Sequence, residues 1–197
     1  MRAATRREFV AGPAGRIECA VDRPESSARG VALIAHPHPL YGGTLDNKVV
    51  QTLARAFLEL GYETWRPNFR GVGATEGVHD EGRGELEDLE VVLRHTAATS
   101  FVLAGFSFGA AVQARLAERK PPQRLVLVGV GVTRLEAPPV PADTLVIHGE
   151  NDETVPLAAV LEWARPQELP VVLVPGADHF FHRKLHVLRT IVTSNWK

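Results

Sequence analysis

The sequence predicts an α/β protein with a mostly parallel central sheet. Short continuous apolar runs, of which residues 31–35 are the clearest, are typical of strands buried on both faces. These runs alternate with stretches of helical spacing such as residues 47–60, which Gly61 ends. The chain has 197 residues and is 45% hydrophobic, so we expect a single domain over residues 1–197 with a substantial core.

Each element follows from a local pattern. Residues 7–10 and 16–21 alternate around Gly12-Pro13-Ala14-Gly15 and predict a hairpin. In the helix predicted over residues 86–95, apolar side chains recur on one face while acidic ones occupy the other. The other predicted strands are residues 31–35, 62–66, 101–104, 125–130, 144–147 and 171–174. The other predicted helices are residues 47–60, 110–120, 157–163 and a last one from about residue 185.

Composition excludes several classes of partner. The formal net charge is −1 at pH 7, which favours neither nucleic acid nor an acidic membrane surface as a partner. The single cysteine, Cys19, forms no disulfide within the chain and fits a reducing compartment as a core or sheet residue. Arg2, Arg6 and Arg7 are not followed by an apolar run, so no signal peptide is expected. We therefore expect a cytoplasmic protein without a membrane partner.

The most informative motif is Gly105-Phe106-Ser107-Phe108-Gly109. An apolar run precedes it and a helix-forming stretch follows it, which is the order strand, sharp turn, serine, helix. A G-x-S-x-G in this context is typical of a nucleophile elbow, in which the flanking glycines leave room for the strained turn. The alternative for Ser107 is a small residue at a tight strand–helix junction.

Two further residues complete a nucleophilic site. Asp152 follows the apolar run 144–147, and His179 follows the run 171–174. The carboxyl ends of parallel strands meet at one edge of a sheet, so both are expected near Ser107. A histidine takes the serine proton, and an aspartate orients the histidine. Asp152 is also well suited to a turn or cap before Val155, and Asp178 is a rival acid that we interpret as a loop residue.

Four segments together resemble a small lidless bacterial α/β-hydrolase. The resemblance covers nearly the whole chain and implies the α/β-hydrolase fold, a sheet with helices on both faces, and a Ser-Asp-His triad. The Pro-rich stretch 133–143 lies where related proteins carry a lid and is too short for one. The segments are residues 36–43 (HPHPLYGG), 68–73 (NFRGVG), the serine elbow, and 148–152 (HGEND) with Asp178-His179.

The first of these segments is expected to form the oxyanion wall. One oxyanion donor is the backbone N–H of Phe108, at a helix amino terminus. Pro37 and Pro39 have no N–H, which leaves His38 or Leu40 as the second donor. The resemblance favours His38, by alignment with the more common His-Gly motif. We expect Leu40, Tyr41, Phe106 and Phe108 to line a short acyl pocket, although core packing is the alternative for each.

Other polar residues allow different interpretations. His36 and His38 with Asp46 suggest a metal site, but no further ligands have zinc-like spacing, so we predict none. Arg70, in the hydrolase-like Arg-Gly-x-Gly loop, is expected either to pin that loop or to be an ordinary surface cation. His148 is expected to be a structural neighbour of the site.

The sequence thus predicts a serine hydrolase that cleaves carboxylic esters of small or short-chain substrates through an acyl-enzyme. The same triad would serve a thioesterase or a hydrolase of small peptide amides. A non-catalytic binding module on the same scaffold is a further alternative. The expected partner is a small-molecule ester; no cofactor is implied, and the oligomeric state is open.

Overall fold

The fold is organised around one eight-stranded sheet. The computed structural model describes residues 5–196, so Arg2 of the basic amino terminus lies outside the described residues. The strand order is β1-β2-β4-β3-β5-β6-β7-β8. The strands are β1 (Arg6–Gly12), β2 (Gly15–Asp22), β3 (Val31–Ala35), β4 (Glu63–Pro67), β5 (Phe101–Phe106), β6 (Leu125–Val128), β7 (Leu145–Gly149) and β8 (Val171–Val174).

The sheet is parallel from β4 to β8, and its first two strands run antiparallel. β1 and β2 form the predicted hairpin, in which Gly12 pairs with Gly15 across the turn. β2 then pairs antiparallel with β4. β5 lies between β3 and β6 and pairs parallel with both. The carboxyl ends of β3 to β8 therefore share one edge, as the sequence predicts.

Helices cover both faces of the sheet. The five helices are α1 (Lys48–Glu59), α2 (Arg83–His95), α3 (Phe108–Arg119), α4 (Leu157–Ala164) and α5 (Leu185–Ser194). Buried residues of α2, α3 and α4 pack together in one apolar core, and those of α1 and α5 pack in another core. Side chains alternate along the strands, so strands such as β3 contribute to both cores. This arrangement is the α/β-hydrolase fold.

The element boundaries differ from the predictions at a few ends. α2 begins at Arg83 rather than at residue 86, because Glu85 accepts the backbone N–H of Gly82 and extends the helix toward its amino end. β6 ends at Val128, before the predicted residue 130. Two short 3₁₀ helices, Pro39–Tyr41 and Arg165–Gln167, have no counterpart in the predictions.

The chain between β6 and β7 forms neither helix nor strand in the structure, which describes this whole segment. It is a loop of residues 129–144, and no lid covers the sheet edge at this point. Among residues 5–196, none of the helices combines the length and the apolar character needed to cross a bilayer.

Candidate active site

Ser107 occupies a strained turn between β5 and α3. Its φ is +56°, a left-handed conformation that is unusual for a residue with a side chain. A Cβ on Gly105 would lie 2.5 Å from the carbonyl oxygen of Gly109, and one on Gly109 would lie 2.3 Å from that of His36. Both glycines are therefore required by close backbone approach, which is the physical reason for the G-x-S-x-G pattern.

A chain of hydrogen bonds joins Ser107, His179 and Asp152. The Oγ of Ser107 lies 3.1 Å from Nε2 of His179. The Nδ1 of the same ring lies 2.7 Å from Oδ2 of Asp152. A carboxylate only accepts hydrogen bonds, so Nδ1 carries the proton and Nε2 is free to accept the serine hydroxyl proton. The structure thus brings the three predicted residues together in the order that nucleophilic catalysis requires.

The carboxylate of Asp152 is held by its own loop. Its Oδ1 accepts the backbone N–H groups of Thr154 at 2.9 Å and Val155 at 2.8 Å. Both interpretations of this aspartate therefore hold: one oxygen caps a turn and the other orients His179. The rival acid, Asp178, instead accepts from His182 at 2.7 Å on the surface, as expected of a loop residue.

A second histidine, His148, packs against the loop that carries Asp152. Its Nε2 donates to the carbonyl of Val155 at 3.0 Å and lies 3.7 Å from Oδ2 of Asp152. The ring is fully buried, and this burial lowers its pKa and keeps it neutral near pH 7. His148 is thus a structural neighbour of the site, in the position the sequence indicated.

His36 fastens the loop after β3 to the loop after β4. Its Nε2 accepts the backbone N–H of Phe69 at 2.9 Å, so its Nδ1 donates to the carbonyl of Pro37 at 2.6 Å. Burial lowers the pKa of His36 to about 4, which preserves the neutral ring that this pair of bonds needs. Both ring nitrogens are engaged with backbone.

The other residues of the metal hypothesis are also engaged. His38 Nδ1 accepts from the backbone N–H of Leu40 at 3.2 Å, and Asp46 pairs with Arg7 at 2.8 Å. Within residues 5–196 no cluster of three metal-ligating side chains is found. Arg70 makes two bonds of 2.9 Å to Asp88 of α2, so it pins its loop rather than facing solvent.

A cavity of about 270 Å³ opens at the hydrogen-bonded serine. Ser107 and His179 form part of its wall and are almost buried, with 8% and 4% of their surfaces exposed. Tyr41 and Phe180, both largely exposed, stand at its rim. The remaining lining residues are Pro37, His38, Gly42, Gly43, Asn47, Phe108, Gly131, Arg134, Thr154 and Val155.

The geometry distinguishes between the two expected oxyanion donors. The N–H of Leu40 is bonded to the ring of His38, and Leu40 lies outside the cavity wall with 69% of its surface exposed. His38 lines the cavity with Phe108, and its N–H makes no hydrogen bond to another described residue. Phe108 is the first residue of α3. Of the predicted donors, the N–H groups of Phe108 and His38 therefore remain at the cavity wall.

Two of the four expected pocket residues lie elsewhere. Leu40 points to solvent, because the short 3₁₀ helix directs Tyr41 rather than Leu40 to the cavity. Phe106 is fully buried and packs its ring 4.8 Å from the ring of His179, behind the cavity wall. As the last residue of β5, it faces the core. Phe106 therefore supports the histidine instead of lining the pocket, whereas Tyr41 and Phe108 line it as expected.

Several lining residues were not predicted from the sequence, and Arg134 and Phe180 are the most prominent of them. Phe180 follows His179 directly, so its proximity to the histidine was a signal that could have identified it. Arg134 lies in the irregular loop after β6, where no periodic pattern indicates a direction.

Comparison with known proteins agrees with the fold. Residues 40–142 match the model of the α/β hydrolase fold family. A serine hydrolase homologue from Coxiella burnetii is 39% identical; the match covers 98% of this chain and 97% of that one, with a TM-score of 0.87. A serine hydrolase without lid from Xanthomonas campestris is 37% identical, with 99% and 94% covered and a TM-score of 0.90.

An uncharacterized protein of Rickettsia prowazekii is also similar, at 32% identity over an alignment of 195 positions that covers 89% of this chain and 82% of that protein. The family model covers more than half of the chain, and the two bacterial serine hydrolases match it almost end to end. With the strand order and the serine elbow already described, these matches show that the chain belongs to the α/β-hydrolase family, as a small lidless serine hydrolase.

Proposed function

We propose that this hydrolase cleaves carboxylic esters of small substrates through an acyl-enzyme on Ser107. The observation that carries the proposal is the continuous set of bonds from Ser107 Oγ through His179 to Asp152, with the serine facing an open cavity. In this proposal the three residues form the catalytic triad.

In the first half-reaction, Ser107 Oγ attacks the ester carbonyl while its proton moves to Nε2 of His179. The negative charge that develops on the carbonyl oxygen is stabilised by the N–H groups of Phe108 and His38. The amino terminus of α3 adds a favourable dipole at the same point. When the intermediate collapses, the ester C–O bond breaks and His179 returns the proton to the leaving alcohol.

In the second half-reaction, water replaces the alcohol. The water oxygen attacks the acyl carbon while Nε2 of His179 takes a proton from the water. When this second intermediate collapses, His179 returns the proton to Ser107 Oγ and the carboxylic acid leaves. Throughout, Asp152 holds the Nδ1 proton and stabilises the transient imidazolium. The packing of Phe106 against the ring limits its rotation between the two steps.

The test uses two matched serine variants. Ser107→Ala removes only a hydroxyl, so hydrolysis of 4-nitrophenyl butyrate should fall by about 10⁵–10⁶-fold and labelling by a fluorophosphonate probe should vanish. Ser194→Ala makes the same change on the exposed end of α5 and should leave both readouts unchanged. Thioester and amide analogues of the butyrate, assayed in parallel, measure the bond preference. Persistent labelling or ester hydrolysis in Ser107→Ala would refute the assignment.

A further inference from the structure

Arg134 is anchored close to the nucleophile through the loop after β6. The backbone N–H of Gly131 donates to the carbonyl oxygen of Ser107 at 3.0 Å. The N–H groups of Arg134 and Leu135 in turn donate to the carbonyl of Gly131, each at 3.2 Å. A Cβ on Gly131 would lie 3.2 Å from the nitrogen of Phe108. The turn that carries Arg134 is therefore built directly against the serine elbow.

The side chain of Arg134 extends over the cavity mouth to Tyr41. Its Nη1 donates to the hydroxyl of Tyr41 at 3.0 Å, and its guanidinium carbon lies 4.7 Å from the centre of the Tyr41 ring. Both residues line the cavity and are exposed to solvent. The tyrosine fixes the position of the guanidinium but uses only one of its five N–H groups, so the others remain available to a ligand.

The cavity wall has positive groups and no acidic ones. Arg134 is the one formally charged residue among the fourteen that line it, and none of them is an aspartate or glutamate. No salt bridge joins Arg134 to an acid of the described chain. The nearby acids Glu81 and Glu85 both lie beside His79, at 3.6 Å and 2.7 Å. The positive end of α3 points to the same space.

The positive charge of Arg134 also acts on His38, which belongs to the proposed oxyanion wall. Burial, with the nearby His79 and Arg134, lowers the pKa of His38, although Glu81 and Glu85 act in the opposite direction. An arginine that is positioned by a tyrosine and left without an acidic partner, beside a nucleophile, is suited to binding a carboxylate with two parallel hydrogen bonds.

From this arrangement we infer that Arg134 binds a carboxylate carried by the substrate, so that the preferred ester is an anionic one. The inference rests on the proposed esterase function and specifies its substrate class. The carboxylate belongs to either the acyl group or the leaving group, and two substrate pairs distinguish these sources.

The experiment measures a charge-preference ratio, which is kcat/KM for an anionic ester divided by kcat/KM for its neutral methyl ester. Mono-4-nitrophenyl adipate and 4-nitrophenyl methyl adipate test the acyl side. 4-Acetoxybenzoate and methyl 4-acetoxybenzoate test the leaving-group side. Each ratio is compared between the wild-type protein and a variant, so that the intrinsic reactivities of the esters cancel.

We expect Arg134→Gln to lower the ratio about tenfold in one of the two pairs, because a charge-assisted hydrogen bond is lost at a partly exposed site. Arg134→Lys should retain part of the preference, since it keeps the charge but loses the planar fork. Raising the salt concentration should lower the ratio in the wild-type protein more than in Arg134→Gln.

Arg119→Gln is the matched control, because Arg119 is an exposed arginine at the far end of α3, paired with Glu90. Its ratios should equal those of the wild-type protein. Ratios that are the same in Arg134→Gln and in the wild-type protein for both pairs would overturn the inference while leaving the esterase proposal intact. If neither neutral nor anionic ester showed Ser107-dependent hydrolysis, the esterase proposal itself would fail, and the inference with it.

Discussion

Two histidine–carboxylate pairs of this molecule have the same spacing and different surroundings. Nδ1 of His179 is 2.7 Å from Asp152, and Nδ1 of His79 is 2.7 Å from Glu85. His179 follows β8 and His79 follows β4, and these two strands end at the same edge of the sheet. The ring of His79 lies 5.6 Å from that of Phe108, and Phe108 directly follows Ser107, which His179 contacts.

The pairs differ at the second ring nitrogen. Nε2 of His179 meets the hydroxyl of Ser107, whereas Nε2 of His79 is buried without a hydrogen bond to the described residues. The carboxylates differ as well. The oxygens of Glu85 accept the backbone N–H groups of Asp80 and Gly82, which lie just before α2. A short histidine–acid contact therefore does not define a catalytic site; the group at the far nitrogen does.

The largest expected difference between acidic residues concerns Asp152. Asp152→Asn preserves size but removes the charge that orients and stabilises protonated His179, so kcat for 4-nitrophenyl butyrate should fall by about 10³–10⁴-fold. Asp178→Asn is the control, because its partner is the surface residue His182. It should change kcat by less than about threefold. The opposite order would mean that Asp178 is the catalytic acid.

The second pair should affect stability rather than chemistry. Glu85→Ala leaves His79 and two backbone N–H groups without their acceptor in a fully buried place, which should cost about 3–5 kcal/mol of unfolding free energy. At temperatures where the variant is folded, kcat should stay within about tenfold of the wild-type value.

Glu87→Ala, on the exposed side of α2, should cost less than about 1 kcal/mol. Urea denaturation followed by circular dichroism measures both free energies. A variant of Glu85 that kept its stability and lost activity as completely as Asp152→Asn would show that the two pairs have been assigned the wrong roles.

The triad residues and the residues of the cavity wall also differ in how well the sequence predicts them. Ser107, Asp152 and His179 could be identified because each follows a recognisable strand, and parallel strands bring their carboxyl ends together. The elbow is a local structure, determined by glycines that permit close backbone contact. These signals lie within a few residues of the position that they identify.

The cavity wall could not be predicted in this way. Leu40 and Tyr41 are neighbours, and a turn of 3₁₀ helix decides which of them faces the serine. The contact between Arg134 and Tyr41 joins residues 93 positions apart, through two loops without periodic pattern. Phe106 is placed behind His179 by the way β5 ends at the sheet edge, which the pentapeptide does not reveal.

A third histidine environment, without any carboxylate, sharpens the comparison through pH. His36 is buried between backbone groups, and burial lowers its pKa from 6.5 to about 4. The unfolded chain therefore binds more protons between these values. The stability that this group contributes is fully present above about pH 6.5 and is lost as the pH falls toward 4, by about 3 kcal/mol.

The free energy of unfolding, measured in urea from pH 8 to pH 4, should therefore fall less steeply in His36→Gln than in the wild-type protein. His148, whose pKa burial also lowers, contributes to the slope that remains. The exposed His186 on α5 provides the control, since His186→Gln should leave the slope unchanged. Parallel curves for His36→Gln and the wild-type protein would show that folding does not lower the pKa of His36.

The smallest effect is expected from the length of the acyl chain, because the cavity beside His179 is small and the residues at its rim are exposed. A buried CH₂ group contributes about 0.8 kcal/mol only where a wall removes it from water. The cavity of about 270 Å³ has Tyr41 and Phe180 at its rim, and the loop of residues 129–144 contributes Gly131 and Arg134 to the wall but forms no lid. For 4-nitrophenyl esters from acetate to palmitate, kcat/KM should rise over the first few carbons and then level off.

Activity should also increase smoothly through the solubility limit of the ester, since no lid has to open. A steady rise of kcat/KM to the longest chain would require an apolar tunnel beyond the rim. In that case, long acyl chains would be bound inside the protein behind the His179–Asp152 pair, and not at the open mouth of the cavity where Arg134 lies.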